Sequence, residues 1–220
     1  MNEQAGQEFV HALEERFTCK RYDPSSHIPD SYFNMILEAG RLSPSSFGFE
    51  PWKFLVIENK ELLERILECS WGAKKNADRT VIILARRGVD AQSTWVHDIA
   101  HNVQGLSPEV EEKVLQAFST FQNNDLHVLD NDRTLFDWAG KQTYIALANM
   151  LSAAALMSID ATPVEGYNAD ALNQLLADAG AFDPTEWGVS VLVQFGVHDP
   201  SHRMHPKTRR PFDEVVEYVK

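Results

Sequence analysis

The stretch that decides the fold is Thr134–Met157, TLFDWAGKQTYIALANMLSAAALM. Thr134 followed three residues later by Asp137 resembles a capping box, which marks the start of a helix. At the far end Pro163 cannot continue a helix, because proline lacks the backbone N–H. The segment therefore predicts one long helix that is followed by a turn at residues 160–167.

This helix is too apolar for an ordinary surface helix. Between Tyr144 and Met157 only Asn149 and Ser152 are polar, so most of its faces need burial. A membrane span needs about 20 predominantly apolar residues, and this run is shorter and directly follows Lys141-Gln142. We therefore expect a central core helix of a protein that does not enter the membrane, with its copy in a dimer as one possible packing partner.

Length and composition predict a single domain over residues 1–220, since no linker-like segment or repeat divides the chain. The formal net charge of −12 disfavours nucleic acid and anionic lipid as partners. The N-terminal residues show no basic region followed by an apolar one, and the two cysteines have no metal-binding or disulfide spacing. We expect a soluble, cytoplasmic protein.

Apolar periodicity predicts helices on both sides of short buried strands. The predicted strands are Lys53–Glu58, Thr80–Ala85 and Gly188–Val197. The predicted helices are one ending at about Glu15, one from Asp30 to near Gly40, one ending at about Trp71, two within residues 92–122, and one from Asn168 to Gly180. Strands separated by helices indicate an α+β or an α/β sheet with covered faces.

Two basic clusters stand out in this acidic chain. Near the N-terminus Arg16, Lys20 and Arg21 surround the hydroxyl of Thr18, and near the C-terminus the cations are Lys207, Arg209 and Arg210. Arginine forks, lysine charges and a threonine hydroxyl can together hold a phosphate. The alternative for both clusters is a solvated basic surface. Lys74 and Lys75 can add charge to the same site or face water.

The loop at residues 42–52 is unusually aromatic, with Phe47, Phe49 and Trp52. These side chains need burial, either in the core or against a flat ligand. Core packing is the simpler interpretation of the loop taken alone.

A metal site is a weaker possibility. His97 and His101 are four residues apart on one helix face, and His-Asp-Ile-Ala-His approaches the zinc-hydrolase pattern His-Glu-x-x-His. Aspartate in place of glutamate weakens the match, and a third ligand would have to come from His198, His202 or His205. A solvated helix face explains both histidines without a metal.

Five short stretches, in order along nearly the whole chain, resemble the nitroreductase family of FMN-dependent NAD(P)H oxidoreductases. They are Arg16–Lys20 (RFTCK), Ser43–Trp52 (SPSSFGFEPW), Lys141-Gln142, Thr162–Gly166 (TPVEG) and Pro206–Arg209 (PKTR). The resemblance implies an α+β fold with a central, mostly antiparallel sheet flanked by helices. It also implies a homodimer, in which the long central helices pack together and FMN lies at the interface.

By the same resemblance, the FMN phosphate would be held by Arg16, Thr18, Lys207 and Arg209, and the pyrimidine edge of the flavin by Lys20 and Lys74. The ring would be lined by Pro163 to Gly166, with backbone N–H groups near Glu165 and Gly166 close to its N5 atom. Pro44, Ser45 and Ser46 would come from the other subunit. The full implied cofactor-binding set is Arg16, Phe17, Thr18, Lys20, Pro44, Ser45, Ser46, Phe47, Gly48, Lys74, Pro163, Val164, Glu165, Gly166, Lys207 and Arg209.

The implied reaction has two half-reactions. NAD(P)H reduces the flavin and leaves, and an electron-poor acceptor such as a quinone or a nitroaromatic is then reduced in its place by ping-pong kinetics. The protein needs no acid–base triad, because the flavin carries the chemistry. Two alternatives remain beside the zinc hydrolase: an FMN-binding protein with little turnover, and a family branch with different flavin chemistry.

Three positions mark where the resemblance is incomplete. Gly48 and Trp71 stand where well-known members often carry asparagine, so polar contacts to the flavin are lost or replaced there. Cys19 lies among the cations, which could lower its pKa. We expect this thiol to be incidental, because the family does not use one at that position.

Overall fold

Four antiparallel strands form the sheet, in the spatial order β1-β2-β4-β3. The computed structural model describes residues 1–202 and 206–220. The strands are β1 (Trp52–Val56), β2 (Arg79–Arg86), β3 (Asp160–Val164) and β4 (Trp187–Gly196). The two central strands, β2 and β4, are buried along almost their whole length, as their continuous apolar sequences predict.

Helices cover the sheet and extend beyond it. They are α1 (Glu3–Glu15), α2 (Asp30–Arg41), α3 (Lys60–Cys69), α4 (Thr94–Asp98), α5 (Pro108–Thr120), α6 (Asp132–Leu156), α7 (Ala169–Asp178) and α8 (Phe212–Val215). Single π-helical turns, Ile99–Val103 and Phe121–Asp125, extend α4 and α5. The predicted ends of α1, α2, α3 and α7 and the three predicted strands are confirmed to within two residues. Together they make an α+β fold.

The segment after the central helix differs from its prediction. Residues 160–164 do not form a turn but an edge strand, whose register with β4 runs from Asp160 opposite Gly196 to Val164 opposite Leu192. Pro163 lies inside this strand. An edge strand accepts proline, because only one side of the strand has to supply ladder hydrogen bonds.

The start of α6 also differs. Asn131, not Thr134, is the N-cap, and its side chain accepts a hydrogen bond from the backbone N–H of Thr134 at 3.0 Å. The Thr134 hydroxyl accepts from the Asn131 backbone N–H at 3.2 Å, so Thr134 is the second half of the capping box. Asp137 instead pairs with the Arg133 guanidinium at 2.8 Å.

One side of α6 packs into the core and the other does not. Its buried side carries Leu147, Met150 and Ala154, which join the core cluster between the sheet and α2. On the opposite side Ile145 is 38% exposed and Leu156 is 53% exposed. A single chain therefore buries only part of this apolar helix. No helix of the described ranges is long and apolar enough to cross a membrane.

The aromatic loop belongs to the core. Phe49 and Trp52 are buried, and Phe47 packs against Phe118 at a ring-centroid distance of 4.9 Å and against Phe121 at 5.4 Å. Core packing, the simpler of the two interpretations, is thus confirmed for this loop.

Candidate functional site

The N-terminal basic segment lies along the free edge of β3. Thr18 forms a parallel β-bridge with Ala161, and the Cys19 backbone N–H donates to the Ala161 carbonyl at 3.2 Å. The Thr162 hydroxyl donates in turn to the Cys19 carbonyl at 2.6 Å. The segment Arg16–Lys20 therefore lies beside Ala161 and Thr162, which directly precede Pro163–Gly166.

A buried tyrosine, Tyr22, holds the N-terminal basic segment against the sheet. The Tyr22 side chain is 1% exposed, and its hydroxyl lies 2.8 Å from the Thr162 hydroxyl and donates to the Gln194 carbonyl at 3.0 Å. A buried phenol needs such partners, because leaving it unpaired would cost the desolvation of the hydroxyl group. Tyr22 thereby ties the basic segment to both β3 and β4.

Gln194 on β4 holds the backbone of Lys74. Its side-chain oxygen accepts from the Lys74 N–H at 2.6 Å, and its side-chain nitrogen donates to the Lys74 carbonyl at 3.0 Å. Gln194 itself is 1% exposed. Of the two candidate lysines, Lys74 is partly buried and Lys75 is exposed. The backbone of Lys74 is thus fixed beside β4, and its role at the flavin stays a prediction.

The end of β3 contacts the segment that precedes Lys74. The Gly72 N–H donates to the Gly166 carbonyl at 2.7 Å, and the indole of Trp71 lies against Gly166. The Tyr144 hydroxyl of α6 donates a hydrogen bond to the Glu165 carboxylate. Burial, followed by this contact with Glu165, raises the pKa of Tyr144 above its ordinary value, so the phenol remains a donor at neutral pH.

The two basic clusters meet at the same edge. The Lys207 ammonium donates to the Leu13 carbonyl at the end of α1. Desolvation, and then the charge of Arg209, lower the pKa of Arg16. Desolvation, and then the charges of Arg16 and Arg209, lower the pKa of Lys207, although Glu15 and Glu14 oppose this more weakly. The fold thus brings together cations from opposite ends of the sequence.

This cation group fits a phosphate. Across the described ranges, Arg16, Lys207 and Arg209 form no ion pair with a carboxylate within 4.0 Å. A dianion among them would replace their mutual repulsion by attraction and accept charge-assisted hydrogen bonds. Thr18, which is two residues from Arg16 and forms the bridge to Ala161, carries a further hydroxyl.

Other predicted residues lie in the same region with different exposure. Lys20, which the resemblance places at the flavin, is exposed. The Phe17 ring packs edge-on against His198 at 5.5 Å. The Val164 side chain is 1% exposed and belongs to the core, so only its backbone can face a ligand. Burial raises the pKa of the Cys19 thiol to about 11, which is opposite to activation by the nearby cations.

The loop Pro44–Gly48 makes its contacts elsewhere. The Ser46 N–H donates to the Gln142 side chain of α6 at 2.9 Å, and the Gln104 side chain donates to the carbonyls of Phe47 and Gly48. In the described part of the chain, no hydrogen bond joins this loop to Arg16–Lys20 or to Pro163–Gly166. The predicted residues therefore form two separate sets within one chain.

Among residues 1–202 and 206–220, the geometry does not support the zinc alternative. His97 and His101 both face the carboxylate of Glu111, at 2.9 and 3.8 Å, and His198 pairs with Asp160 at 2.8 Å. Among the described residues, no group of three or more histidine, cysteine, aspartate or glutamate side chains can hold a metal ion. His205, another candidate ligand, lies outside the described residues.

Three contacts at the site were not predicted from the sequence. These are the support of Lys74 by Gln194, the bond from Tyr144 to Glu165 and the packing of Trp71 on Gly166. The sequence signal for Gln194 is that it is one of two polar residues, with Ser190, within an otherwise apolar strand. Such a residue needs a hydrogen-bonding partner, but strand periodicity does not say which one.

In the described residues, cations from both ends of the sequence meet beside a β-sheet edge, which gives this α+β protein a candidate site for an anionic ligand. Comparison with known proteins identifies the family within this class. The model of the nitroreductase family matches residues 13–180. A protein of Haemophilus influenzae assigned as an NAD(P)H nitroreductase is 43% identical over 222 residues, covering 100% of both chains. A Staphylococcus epidermidis protein with the same assignment is 42% identical over 98% of this chain and 99% of its own.

Solved structures agree with the fold. A Bacillus subtilis protein assigned as a nitroreductase has a TM-score of 0.78 at 20% identity, covering 97% of this chain and 100% of its own. One from Exiguobacterium sibiricum, solved in complex with FMN, has a TM-score of 0.72 at 19% identity, covering 96% and 95%. The chain belongs to the nitroreductase family. This confirms the family and the fold class that were expected from the sequence.

Proposed function

We propose that this protein is an FMN-dependent oxidoreductase that uses NAD(P)H to reduce electron-poor acceptors such as nitroaromatics or quinones. The observation that carries the proposal is the group of three cations formed by Arg16, Lys207 and Arg209. These cations repel one another, and in the described ranges none of them has a carboxylate partner. FMN supplies a phosphate dianion that fits this group. The names of the full-length relatives and the FMN complex of a structural neighbour support the same conclusion.

Different residues along the β3 edge would bind different parts of FMN. Arg16, Thr18, Lys207 and Arg209 would bind the phosphate, while Lys20 and Lys74 would offset negative charge at the pyrimidine edge. Backbone N–H groups at Glu165 and Gly166 would face the reactive edge of the ring. When bound, FMN would accept a hydride from NAD(P)H and pass it to the acceptor in a separate half-reaction, hence ping-pong kinetics.

The same proposal includes a homodimer with α6 at its centre. The exposed apolar side chains of α6 continue into α1, which has no buried residue although it carries Phe9, Val10 and Leu13. A second copy would bury both surfaces. Because Pro44–Gly48 makes no hydrogen bond to the basic edge of its own chain among the residues that the structure describes, we place it at the site of the partner. Two unpaired cysteines and the use of NAD(P)H fit the cytoplasm as the compartment.

Tyr144→Phe tests the support of the ring-facing backbone. Tyr144 is 40% exposed, and its hydroxyl donates to the Glu165 carboxylate. Removing this hydroxyl leaves the carboxylate, which lies beside Gly166, without that hydrogen bond. We expect a loss of stability of about 1 kcal/mol and a two- to fivefold weaker FMN affinity, measured by flavin fluorescence titration. Tyr32→Phe, which changes a similarly exposed tyrosine on α2, is the control. Equal affinities in the two variants would remove this role from Tyr144.

The proposed function is tested by an absorbance spectrum of the purified protein, followed by anaerobic addition of NADPH and then NADH. We expect a flavin spectrum that one of the nucleotides bleaches, and a return of colour when a quinone or a nitroaromatic is added. A colourless protein that does not take up added FMN would overturn the proposal. A yellow protein that neither nucleotide reduces would instead support an FMN-binding protein with little turnover or with different flavin chemistry.

A further inference from the structure

We propose that Trp71 is the aromatic wall of the flavin site, where its indole stacks against the isoalloxazine ring of FMN. The inference rests on the proposed function, because it assigns a new contact to the same site. It concerns a residue that no part of the binding set includes, at a position where the family resemblance left a lost or replaced contact.

Exposure distinguishes Trp71 from the other tryptophans. Its side chain is 83% exposed, whereas Trp52, Trp138 and Trp187 are at most 7% exposed. Trp95 is partly buried and donates its indole N–H to the Phe49 carbonyl at 2.8 Å. Leaving a large aromatic surface in water forfeits the favourable free energy of burying it. A ligand that covers the indole would recover that free energy.

The backbone around Trp71 is held on both sides. The Gly72 N–H donates to the Gly166 carbonyl at 2.7 Å, and the Asn168 N–H donates to the Cys69 carbonyl at 2.8 Å. These two bonds join the segment 69–72 to the segment 166–168. The backbone that carries the indole is therefore held beside β3, and the outer surface of the indole faces solvent.

The indole lies directly on Gly166. A Cβ atom at Gly166 would be 2.8 Å from both Cε2 and Cζ2 of the indole, which is closer than real contacts allow. The missing side chain at position 166 is what makes room for the ring. The backbone N–H of this same glycine is the group expected to face the flavin N5 atom. An aromatic ligand that reaches this N–H thus comes next to the indole.

The chemistry selects a planar, electron-poor ring as the ligand of this wall. Indole is electron-rich, and offset or edge-on aromatic pairs add about 0.5–1.5 kcal/mol to the burial of their area, which corresponds to about two- to twelvefold in affinity. The isoalloxazine ring has the required shape. A nitroaromatic acceptor or a nicotinamide ring has related chemistry, so the test has to distinguish these from FMN.

The test is a titration of the FMN-depleted protein with FMN, followed by tryptophan emission and, separately, by flavin fluorescence. We expect FMN to quench a red-shifted component of the emission that is present in the wild type and absent from Trp71→Phe. Trp71→Ala should weaken FMN binding about three- to tenfold, while Trp71→Phe, which keeps an aromatic ring, should retain most of the affinity.

A double-mutant cycle shows whether the indole acts through its place on Gly166. Gly166→Ala displaces the indole but leaves the tryptophan in place. The loss of FMN affinity caused by Gly166→Ala and the loss caused by Trp71→Ala should therefore not add in the double variant. Additive losses, or unchanged binding and unquenched Trp71 emission with FMN bound, would overturn the proposal while leaving the proposed function intact. Emission that responds to NADH or a nitroaromatic but not to FMN would also overturn it. Absence of FMN binding in the wild type would overturn both.

Discussion

Arg209→Ala will weaken FMN binding by about ten- to a hundredfold and will leave the FMN-free protein at least as stable as the wild type. A charge-assisted hydrogen bond contributes about 1.5–3 kcal/mol, and each 1.4 kcal/mol is a factor of ten in affinity. In the absence of a ligand Arg209 instead repels Arg16 and Lys207, and this repulsion contributes to the lowered pKa of each. Ligand binding and unliganded stability therefore change in opposite directions.

The measurements are FMN titration and thermal unfolding with and without inorganic phosphate. Arg210→Ala is the matched control, since it removes the same charge one residue further along the chain, and Arg210 is not among the groups that shift the pKa of Arg16 or Lys207. We expect phosphate to raise the melting temperature of the wild type more than that of Arg209→Ala. Equal FMN affinities in the two arginine variants would show that the phosphate binds elsewhere.

Lys207 makes a contribution of definite sign to the pH dependence of unliganded stability. Because the pKa of Lys207 is lowered in the folded state, the unfolded chain binds more protons in the interval just below the ordinary lysine pKa. The contribution of Lys207 to stability therefore rises with pH through that interval, whereas the raised pKa of Cys19 and of Tyr144 contributes a fall at alkaline pH. The Lys207 part is read from the difference between the wild type and Arg209→Ala. Arg209→Ala removes one cause of the shift and is expected to flatten this rise, which denaturant titrations at several alkaline pH values would show.

Gln194→Leu will have the largest effect on the fold around the site. Its side chain pairs with both the N–H and the carbonyl of Lys74, and leucine leaves these two backbone groups without their partner. An unsatisfied buried group costs about 1–3 kcal/mol, so we expect a loss of about 2–4 kcal/mol in the free energy of unfolding. For a chain of this size that lowers the melting temperature by about 5–15 °C. FMN binding should weaken as well, because Lys74 loses its fixed position.

Gln194→Glu separates the two hydrogen bonds. Glutamate still accepts from the Lys74 N–H, but at neutral pH its carboxylate places a buried charge against the Lys74 carbonyl, so this variant should be no more stable than Gln194→Leu. Relative to the wild type it should regain stability as the pH falls, because the protonated carboxyl can donate to that carbonyl. The Tyr22 hydroxyl donates to the backbone carbonyl of residue 194, and this contact survives both substitutions. A melting temperature of Gln194→Leu equal to that of the wild type would show that the Lys74 backbone is supported by other contacts.

The sequence by itself determined the elements whose causes are local. The apolar runs of β2 and β4, the periodic helices and the cap at Asn168, whose side chain accepts from the Ala171 N–H, depend on residues that are near in sequence. The basic clusters could be found as well, because positive charge is conspicuous in a chain of net charge −12. The order of five short motifs then connected these clusters to one family.

Only the tertiary structure decided which distant groups meet. The sequence predicted that Pro163 lies in a turn after the helix, but α6 ends at Leu156 and the place of Pro163 in an edge strand depends on pairing with β4. Likewise Gln194 and Lys74 are 120 residues apart, Tyr144 and Glu165 are on different elements, and Trp71 reaches Gly166 only because β3 lies beside the segment that carries it. Local patterns specify helices and strands through short-range sterics and hydrogen bonds, whereas these contacts arise from the packing of the whole chain.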